Sequence, residues 1–113
     1  MKLYLDQQQT AKLIELGFDK PSSIEEFLEL ENDWSIGGLK QRKAYLIGEL
    51  IEMLPKHIFP NGVCFDLHIC ANQNLWVVKY TEVFYEKCYR FCSKELIDAL
   101  YDMIVKLKEE GVI

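Results

Sequence analysis

The chain has 113 residues, half of them apolar and 27% charged, with a formal net charge of −5 at pH 7. These values predict one soluble globular domain and exclude a membrane-spanning chain, because no stretch approaches the roughly 18 consecutive apolar residues of a membrane helix. The negative charge argues against a general nucleic-acid-binding role, which needs a basic surface.

Residues 1–7 contain neither the apolar core nor the small-residue cleavage site of a signal peptide. We therefore expect a cytoplasmic protein whose four cysteines are reduced thiols. The sequence also lacks a glycine-rich phosphate loop and the H-E-x-x-H and G-x-S-x-G motifs of common enzymes. No cofactor is predicted.

Two segments near the start carry the signals that begin and end helices. Asp6 followed by Gln9 resembles a capping box, and Gly17 suits the position just beyond a helix end. Ser23 with Glu26 forms a second box of this kind, so a second short helix is predicted to begin there. The basic residues within 40–43 are interpreted as a solvated face, and the acidic run at 25–33 is too short to mimic a polyanion.

The middle of the chain leaves two interpretations open. A brief strand at 34–36 and a turn at Gly37-Gly38 are predicted first. Residues 39–47 then belong either to a long helix or to an extended segment followed by a two-turn helix beginning near Gly48. In both cases Pro55 ends the helix. A further turn is predicted at 60–62.

Residues 63–71 alternate in character as a strand does, with successive side chains on opposite faces. The first face is apolar and is assigned to the core: Val63, Phe65, Leu67, Ile69 and Ala71. The second face carries chemically reactive groups: Cys64, Asp66, His68 and Cys70.

A loop at 72–74 and a strand at 75–81 predict an antiparallel hairpin. We expect Cys70 to lie opposite Leu75, and this register pairs Asp66 with Lys79 as an ion pair.

The C-terminal third is predicted to hold one more strand and a long helix. The aromatic stretch 83–91 is interpreted as a third strand over 84–91, with a loop as the alternative. A helix over 94–110 follows, with Ser93 as its N-cap and Gly111 beyond its end. The fold class is therefore α+β, a single domain over 1–113 in which helices pack on the sheet built around the hairpin 63–71/75–81.

The second hairpin face has the residue types of metal sites and nucleophilic enzymes. Same-face neighbours are about 6.6 Å apart along a strand, so only Asp66 with His68, or His68 with Cys70, could share one ion. Additional ligands would have to come from His57, Cys88 or Cys92. One hypothesis is therefore a small cysteine- or metal-dependent enzyme centred on Asp66, His68 and Cys70, with His68 and Cys70 as catalytic residues.

The preferred hypothesis is a non-enzymatic accessory or protein-interaction domain without a metal site. The second face is more apolar than the water-facing side of a sheet, so either helices cover both faces or a partner covers this one. We favour a partner protein, most simply a second copy in a two-fold homodimer. The predicted interface residues are Cys64, His68, Cys70, Leu75 and Val77.

Three stretches carry helix-packing patterns, namely TAKLIELGF at 10–18, GELIEMLPK at 48–56 and KELIDALYDM at 94–103. Together they resemble small uncharacterised proteins encoded by prophages and other mobile elements of gut anaerobic bacteria. The resemblance implies a mobile-element origin and a short helix that ends at Leu54-Pro55, and it carries no activity. In that group the central helix tends to follow a Ser or Thr cap, whereas this chain has Leu46-Ile47, which leaves the helix start open.

Overall fold

The computed structural model describes residues 1–32, 35–82 and 85–113. The elements are α1 (Gln7–Glu15), β1 (Ile24–Asn32), β2 (Ser35–Lys43), α2 (Ile47–Met53), β3 (His57–Ile58), a 3₁₀ turn (Pro60–Gly62), β4 (Phe65–Asn72), β5 (Leu75–Glu82), β6 (Tyr85–Ser93) and α3 (Leu96–Glu109). Strands β3 to β6 form an antiparallel sheet in sequence order, and β1 and β2 form a separate two-stranded ribbon. The predicted α+β class is confirmed.

The core lies between α3 and one face of the four-stranded sheet. Helix α3 packs on β5, β6 and α2, and its buried residues recur at helical spacing: Leu96, Ile97, Ala99, Leu100, Met103, Ile104 and Leu107. Val78 and Tyr80 of the central strand β5 belong to the same buried cluster and have no exposed surface. Among the described residues, no helix is long and apolar enough to cross a membrane.

The connection between β4 and β5 is tighter than predicted. Its loop consists of residues 73–74, with Gln73 at a φ of 56°, so Asn72 rather than Cys70 lies opposite Leu75. The register differs from the predicted one by two residues. Because strand side chains alternate with a period of two, this displacement leaves every residue on its predicted face.

The same displacement changes the cross-strand partners. Lys79 lies opposite His68, and Asp66 lies opposite Thr81. The predicted Asp66–Lys79 ion pair is therefore wrong, and Asp66 instead pairs with His57 on the other side of β4.

Residues 24–32 form strand β1 rather than the helix predicted from Ser23. The carboxylate of Glu25 binds the Arg42 guanidinium at 2.6 Å, and the side-chain amide of Gln41 donates to Glu26 at 2.9 Å. Arg42 of the basic run, interpreted as part of a solvated face, thus has a cross-strand partner in Glu25. Such pairs stabilise the ribbon in a way that a local capping signal does not reveal.

The ribbon also corrects the predicted turn. Gly37 and Gly38 lie inside β2, and Gly38 pairs with Glu29. Residues 33–34, including the Trp34 of the predicted brief strand, lie outside the described residues.

The extended interpretation of residues 39–47 is confirmed. Strand β2 runs to Lys43, and α2 begins at Ile47. In place of a Ser or Thr cap, the Glu49 carboxylate accepts a hydrogen bond from the Leu46 N–H at 3.2 Å. The helix ends at Met53, as the following proline predicts.

The terminal helices follow their predicted signals closely. Asp6 caps α1 by accepting from the Gln9 N–H at 2.8 Å, and the Gln9 side chain accepts from the Asp6 N–H at 3.1 Å. Helix α3 begins at Leu96 instead of residue 94, and the prediction of Ser93 as its N-cap is wrong. The N-cap is Glu95, whose N–H donates to Ser93 Oγ in the preceding turn.

The end of α3 and the third strand are confirmed. Gly111 has a φ of 73°, and the Val112 N–H donates to the Leu107 carbonyl at 2.8 Å in the expected closing contact. Strand β6 covers 85–93, while Phe84 of the predicted strand lies outside the described residues.

Candidate functional site

The open face of the sheet, opposite the face that packs on α3, carries the predicted interface residues. Val77 lies between Cys70 of β4 and Cys92 of β6 in one row across three strands. Both thiols are exposed, and Leu75 on the same strand as Val77 is 40% exposed. Val77 itself is only 3% exposed, so the accessible part of the row consists of the two thiols and Leu75.

A basic row follows the apolar one on this face. Lys79 lies between His68 and Arg90, and both of these neighbours are exposed. Within the described part of the chain, neither Lys79 nor Arg90 forms an ion pair. Lys79 and Arg90 are directly opposite each other, so their like charges repel across the two strands.

A second group of side chains meets at the edge of the sheet, where β3 pairs with β4. His57 and Asp66 are directly opposite, and His57 Nδ1 is 2.7 Å from Asp66 Oδ1. Cys64 lies two residues before Asp66, with its Sγ 3.9 Å from His57 Nδ1 and 3.7 Å from Asp66 Oδ1. All three residues are exposed. We call these three residues the edge cluster.

Local sequence explains how the edge cluster forms. The Pro60–Gly62 turn needs two left-handed residues, Asn61 at a φ of 55° and Gly62 at 80°, which are types that tolerate this conformation. The turn closes with the Val63 N–H donating to the Pro60 carbonyl at 3.1 Å. The chain reverses there, and this reversal brings the start of β4 back against β3.

The arrangement does not favour a cysteine nucleophile. The pKa of the Cys64 thiol is raised, chiefly by desolvation. The charge and hydrogen bond of Asp66 and the charge of Glu82 raise it further. A catalytic thiol needs a lowered pKa and an imidazole whose two nitrogens serve the acid and the thiol separately. Here Asp66 and Cys64 both approach the same nitrogen, Nδ1 of His57.

The same three groups are a common ligand set for zinc, which binds thiolate sulfur, imidazole nitrogen and carboxylate oxygen. Their donor atoms all lie within 4.8 Å of one another. The edge cluster can therefore offer three ligands to one ion without a change in the fold.

The structure separates the predicted enzyme centre. Asp66 belongs to the edge cluster, whereas His68 and Cys70 lie further along β4 and face Lys79 and Val77. Among the described residues, no three-donor group contains His68 or Cys70. Of the additional ligands that the sequence suggested, His57 reaches Asp66.

The contribution of His57 was difficult to predict because β3 has only two residues and shows no periodicity. The available signal was the predicted turn at 60–62. A tight turn implies that the segments before and after it run antiparallel, which places residues near 57 beside residues near 65.

His57 also lines a cleft of about 600 Å³ between the β3 segment and the C-terminal end of α3. Most of the surrounding side chains are apolar, including Ile58, Phe59 and Val112. A hydrogen bond with Glu110, together with burial, raises the pKa of Tyr89 in the same wall. The cleft is thus a groove of mixed polarity beside the edge cluster.

Comparison with protein-family models, curated proteins and solved structures finds no match to the chain. The function is therefore inferred from the geometry of these surfaces.

Proposed function

We propose that the chain is a small cytoplasmic interaction protein that forms a homodimer through the open face of its four-stranded sheet. The observation that supports this proposal is the apolar row of Cys70, Val77 and Cys92, with Leu75 beside it. The solvent face of an antiparallel sheet normally carries strongly polar residues. A contiguous apolar row is instead typical of a surface that a partner buries.

A second copy of the chain is the simplest partner for this face. A two-fold axis that runs along the apolar row brings the apolar rows of the two copies against each other, so the same surface serves both partners. The basic rows, with Lys79 and Arg90, then lie on opposite sides of the axis, and their like charges do not meet.

The size of the face predicts a weak dimer. Strands spaced about 4.8 Å apart, with eight residues rising about 3.3 Å each, give roughly 400 to 500 Å² of flat sheet per copy. The total of about 1,000 Å² is at the low end for a specific interface. We therefore expect a reversible dimer that forms as the protein concentration rises. A mobile-element origin, implied by the resemblance of the helices, accords with a small accessory protein of this kind.

Sedimentation velocity in reducing buffer, from micromolar to near-millimolar protein, tests the proposal. We expect the average mass to rise toward twice that of the chain. The Cys70→Lys variant places a charge in the apolar row at an exposed position and should remain monomeric. Ala11→Lys makes the same kind of change on the exposed surface of α1 and should dimerise as the wild type does.

A wild-type protein that stays monomeric at the highest concentration would overturn the proposal. A dimer that Cys70→Lys leaves intact would place the interface elsewhere and exclude this face.

A further inference from the structure

The edge cluster lies at the β3 edge of the same sheet face, away from the apolar row of Cys70, Val77 and Cys92. Among the described residues, His57, Cys64 and Asp66 form the one group of at least three metal-ligating side chains whose donor atoms converge. An exposed His–Asp pair stabilises a fold only slightly. The need for a stable fold therefore does not explain why a thiol, an imidazole and a carboxylate lie next to one another here.

The donor distances are close to those of a tetrahedral zinc site. Zinc–ligand bonds of about 2.0 to 2.3 Å at tetrahedral angles separate a sulfur from a nitrogen or oxygen by about 3.6 Å, and a nitrogen from an oxygen by about 3.3 Å. The Cys64 Sγ distances of 3.9 Å to His57 Nδ1 and 3.7 Å to Asp66 Oδ1 match this closely. The Nδ1–Oδ1 distance of 2.7 Å would have to open by about half an ångström.

The backbone holds the ligands in this arrangement. His57 and Asp66 are paired residues of neighbouring strands, and the Leu67 N–H donates to the Lys56 carbonyl at 3.0 Å beside them. Cys64 follows the Pro60–Gly62 turn, which fixes the entry of the chain into β4. Only side-chain torsions need to change when an ion enters.

We propose that His57 Nδ1, Cys64 Sγ and Asp66 Oδ1 bind a zinc ion at the β3 edge of the sheet. On binding, the thiol loses its proton to solvent and becomes a thiolate. Neutral His57 carries its proton on Nε2, so that the Nδ1 lone pair faces the ion. Three protein ligands leave one tetrahedral position for water or another exchangeable ligand.

The ligand set selects the kind of metal. Magnesium and calcium are bound almost wholly by oxygen atoms, whereas this site offers one sulfur, one nitrogen and one oxygen. Soft thiolate and borderline imidazole ligands favour zinc and the later transition metals. Cobalt(II), which takes the place of zinc in tetrahedral sites, provides a visible probe.

The test is titration of the reduced, metal-free protein with zinc in competition with a chromophoric chelator, repeated with cobalt. We expect one zinc ion per chain and a sulfur-to-cobalt charge-transfer band in the near ultraviolet. Cys64→Ala should remove this band and weaken zinc binding at least tenfold. Asp66→Asn and His57→Ala should each weaken zinc binding and leave the sulfur band in place at saturating cobalt.

Matched controls come from the same strand. Cys70 and His68 are exposed residues of β4 on the same face but outside the edge cluster. Cys70→Ala and His68→Ala should bind zinc as the wild type does, and circular dichroism should show that every variant remains folded. Cys70→Lys should also bind zinc normally even where it abolishes the dimer, so the metal and dimer proposals fail separately.

Two results would overturn the proposal. The first is wild-type protein that takes up no zinc at concentrations well above that of the protein. The second is zinc binding and a sulfur band that Cys64→Ala leaves unchanged, or that Cys70→Ala removes, because the metal would then be held elsewhere.

Discussion

Tyr80 illustrates how one side chain connects the sheet to the loop after α2. Its ring has no exposed surface, and its hydroxyl donates to the Pro55 carbonyl at 2.6 Å. Burial raises the pKa of Tyr80 to about 12 from an ordinary value of 10.0. The ionised phenolate is thus much less compatible with the folded state than with the unfolded one.

This shift predicts a loss of stability at alkaline pH. A group whose pKa is raised by folding contributes its full stability below its unfolded pKa and loses it as the pH rises toward the folded pKa. For Tyr80 the loss falls between pH 10 and about 12 and amounts to roughly 3 kcal/mol. Urea unfolding across this pH range measures it.

The Tyr80→Phe variant provides the control. It should lose about 1 to 3 kcal/mol at neutral pH, because the Pro55 carbonyl loses its buried partner. Between pH 10 and 12, this variant should lose less folding stability than the wild type does. Some loss should remain, because burial also raises the pKa of Tyr45. An alkaline loss identical to that of the wild type would exclude Tyr80 as its cause.

Single residues of the edge cluster show the limit of sequence reasoning at this scale. Cys64 and Asp66 were predicted to share a face because strand alternation depends only on parity. Their partner His57 comes from across a turn, and its position depends on the pairing of β3 with β4. Local spacing does not specify such a cross-strand neighbour.

Among the elements, the two outer helices were predictable and the ribbon was not. Helix α1 begins with a capping box, and a left-handed glycine follows each of α1 and α3, so local sequence determines these ends. The segment from Ile24 carries a capping box as well, yet it forms β1. Its Glu25 and Glu26 side chains bind those of Arg42 and Gln41 on the neighbouring strand β2. Long-range pairing outweighs local preference there.

The same substitution to alanine should have opposite effects at two glycines, one just beyond the end of α3 and one inside α2. Gly111 has a φ of 73°, a conformation that costs other residues about 1 to 2 kcal/mol, so Gly111→Ala should destabilise by about 1 kcal/mol. Gly48 lies inside α2, and a methyl group there would meet open space, so Gly48→Ala should stabilise by about 0.5 to 1 kcal/mol.

Thermal and chemical unfolding of both variants measure these differences. A methyl group at Gly111 also meets no neighbouring atom, so the expected cost comes from backbone conformation alone. Equal effects of the two substitutions would contradict the assigned ends of α2 and α3.

At the scale of the whole molecule, two carboxylates at the start of α3, those of Asp98 and Glu95, hold the N-terminal segment. The Lys2 ammonium and the Gln9 side-chain amide both donate to Asp98 Oδ1, at 2.8 and 3.0 Å. The Lys2 backbone N–H donates to Glu95 at 2.7 Å. Partial burial alone would raise the pKa of Asp98, but these hydrogen bonds and the charge of Lys2 outweigh it and lower the pKa.

This network predicts a loss of stability in acid. A carboxylate whose pKa is lowered by folding contributes fully above its unfolded pKa, here 3.8, and the contribution is lost as the pH falls through the folded pKa. Asp98→Asn should cost about 1 to 2 kcal/mol at neutral pH and reduce the dependence on pH below 3.8.

Unfolding titrations at several pH values provide the measurement. Glu52→Gln removes the same charge from an exposed position on α2 and should change stability little. If Asp98→Asn were as stable as Glu52→Gln, the network would not hold the N-terminal segment to α3.

The shape of the molecule also depends on long-range pairing. Its radius of gyration is 16.6 Å, against about 13 Å for a compact domain of this length. Strands β1 and β2 pack mainly on each other, which lengthens the molecule to 58 Å along its longest axis. Local patterns give no information on whether a ribbon folds back on the core or extends from it.

The sequence by itself determined the α+β class, the outer helices and the two faces of the β4–β5 hairpin. These features depend on caps, turn residues and the parity of alternation, which are properties of neighbouring residues. Tertiary structure alone decided the two-residue register displacement, the β1–β2 ribbon and the meeting of His57 with Cys64 and Asp66. Each of these depends on which strands pair, and therefore on contacts between residues that are distant in the chain.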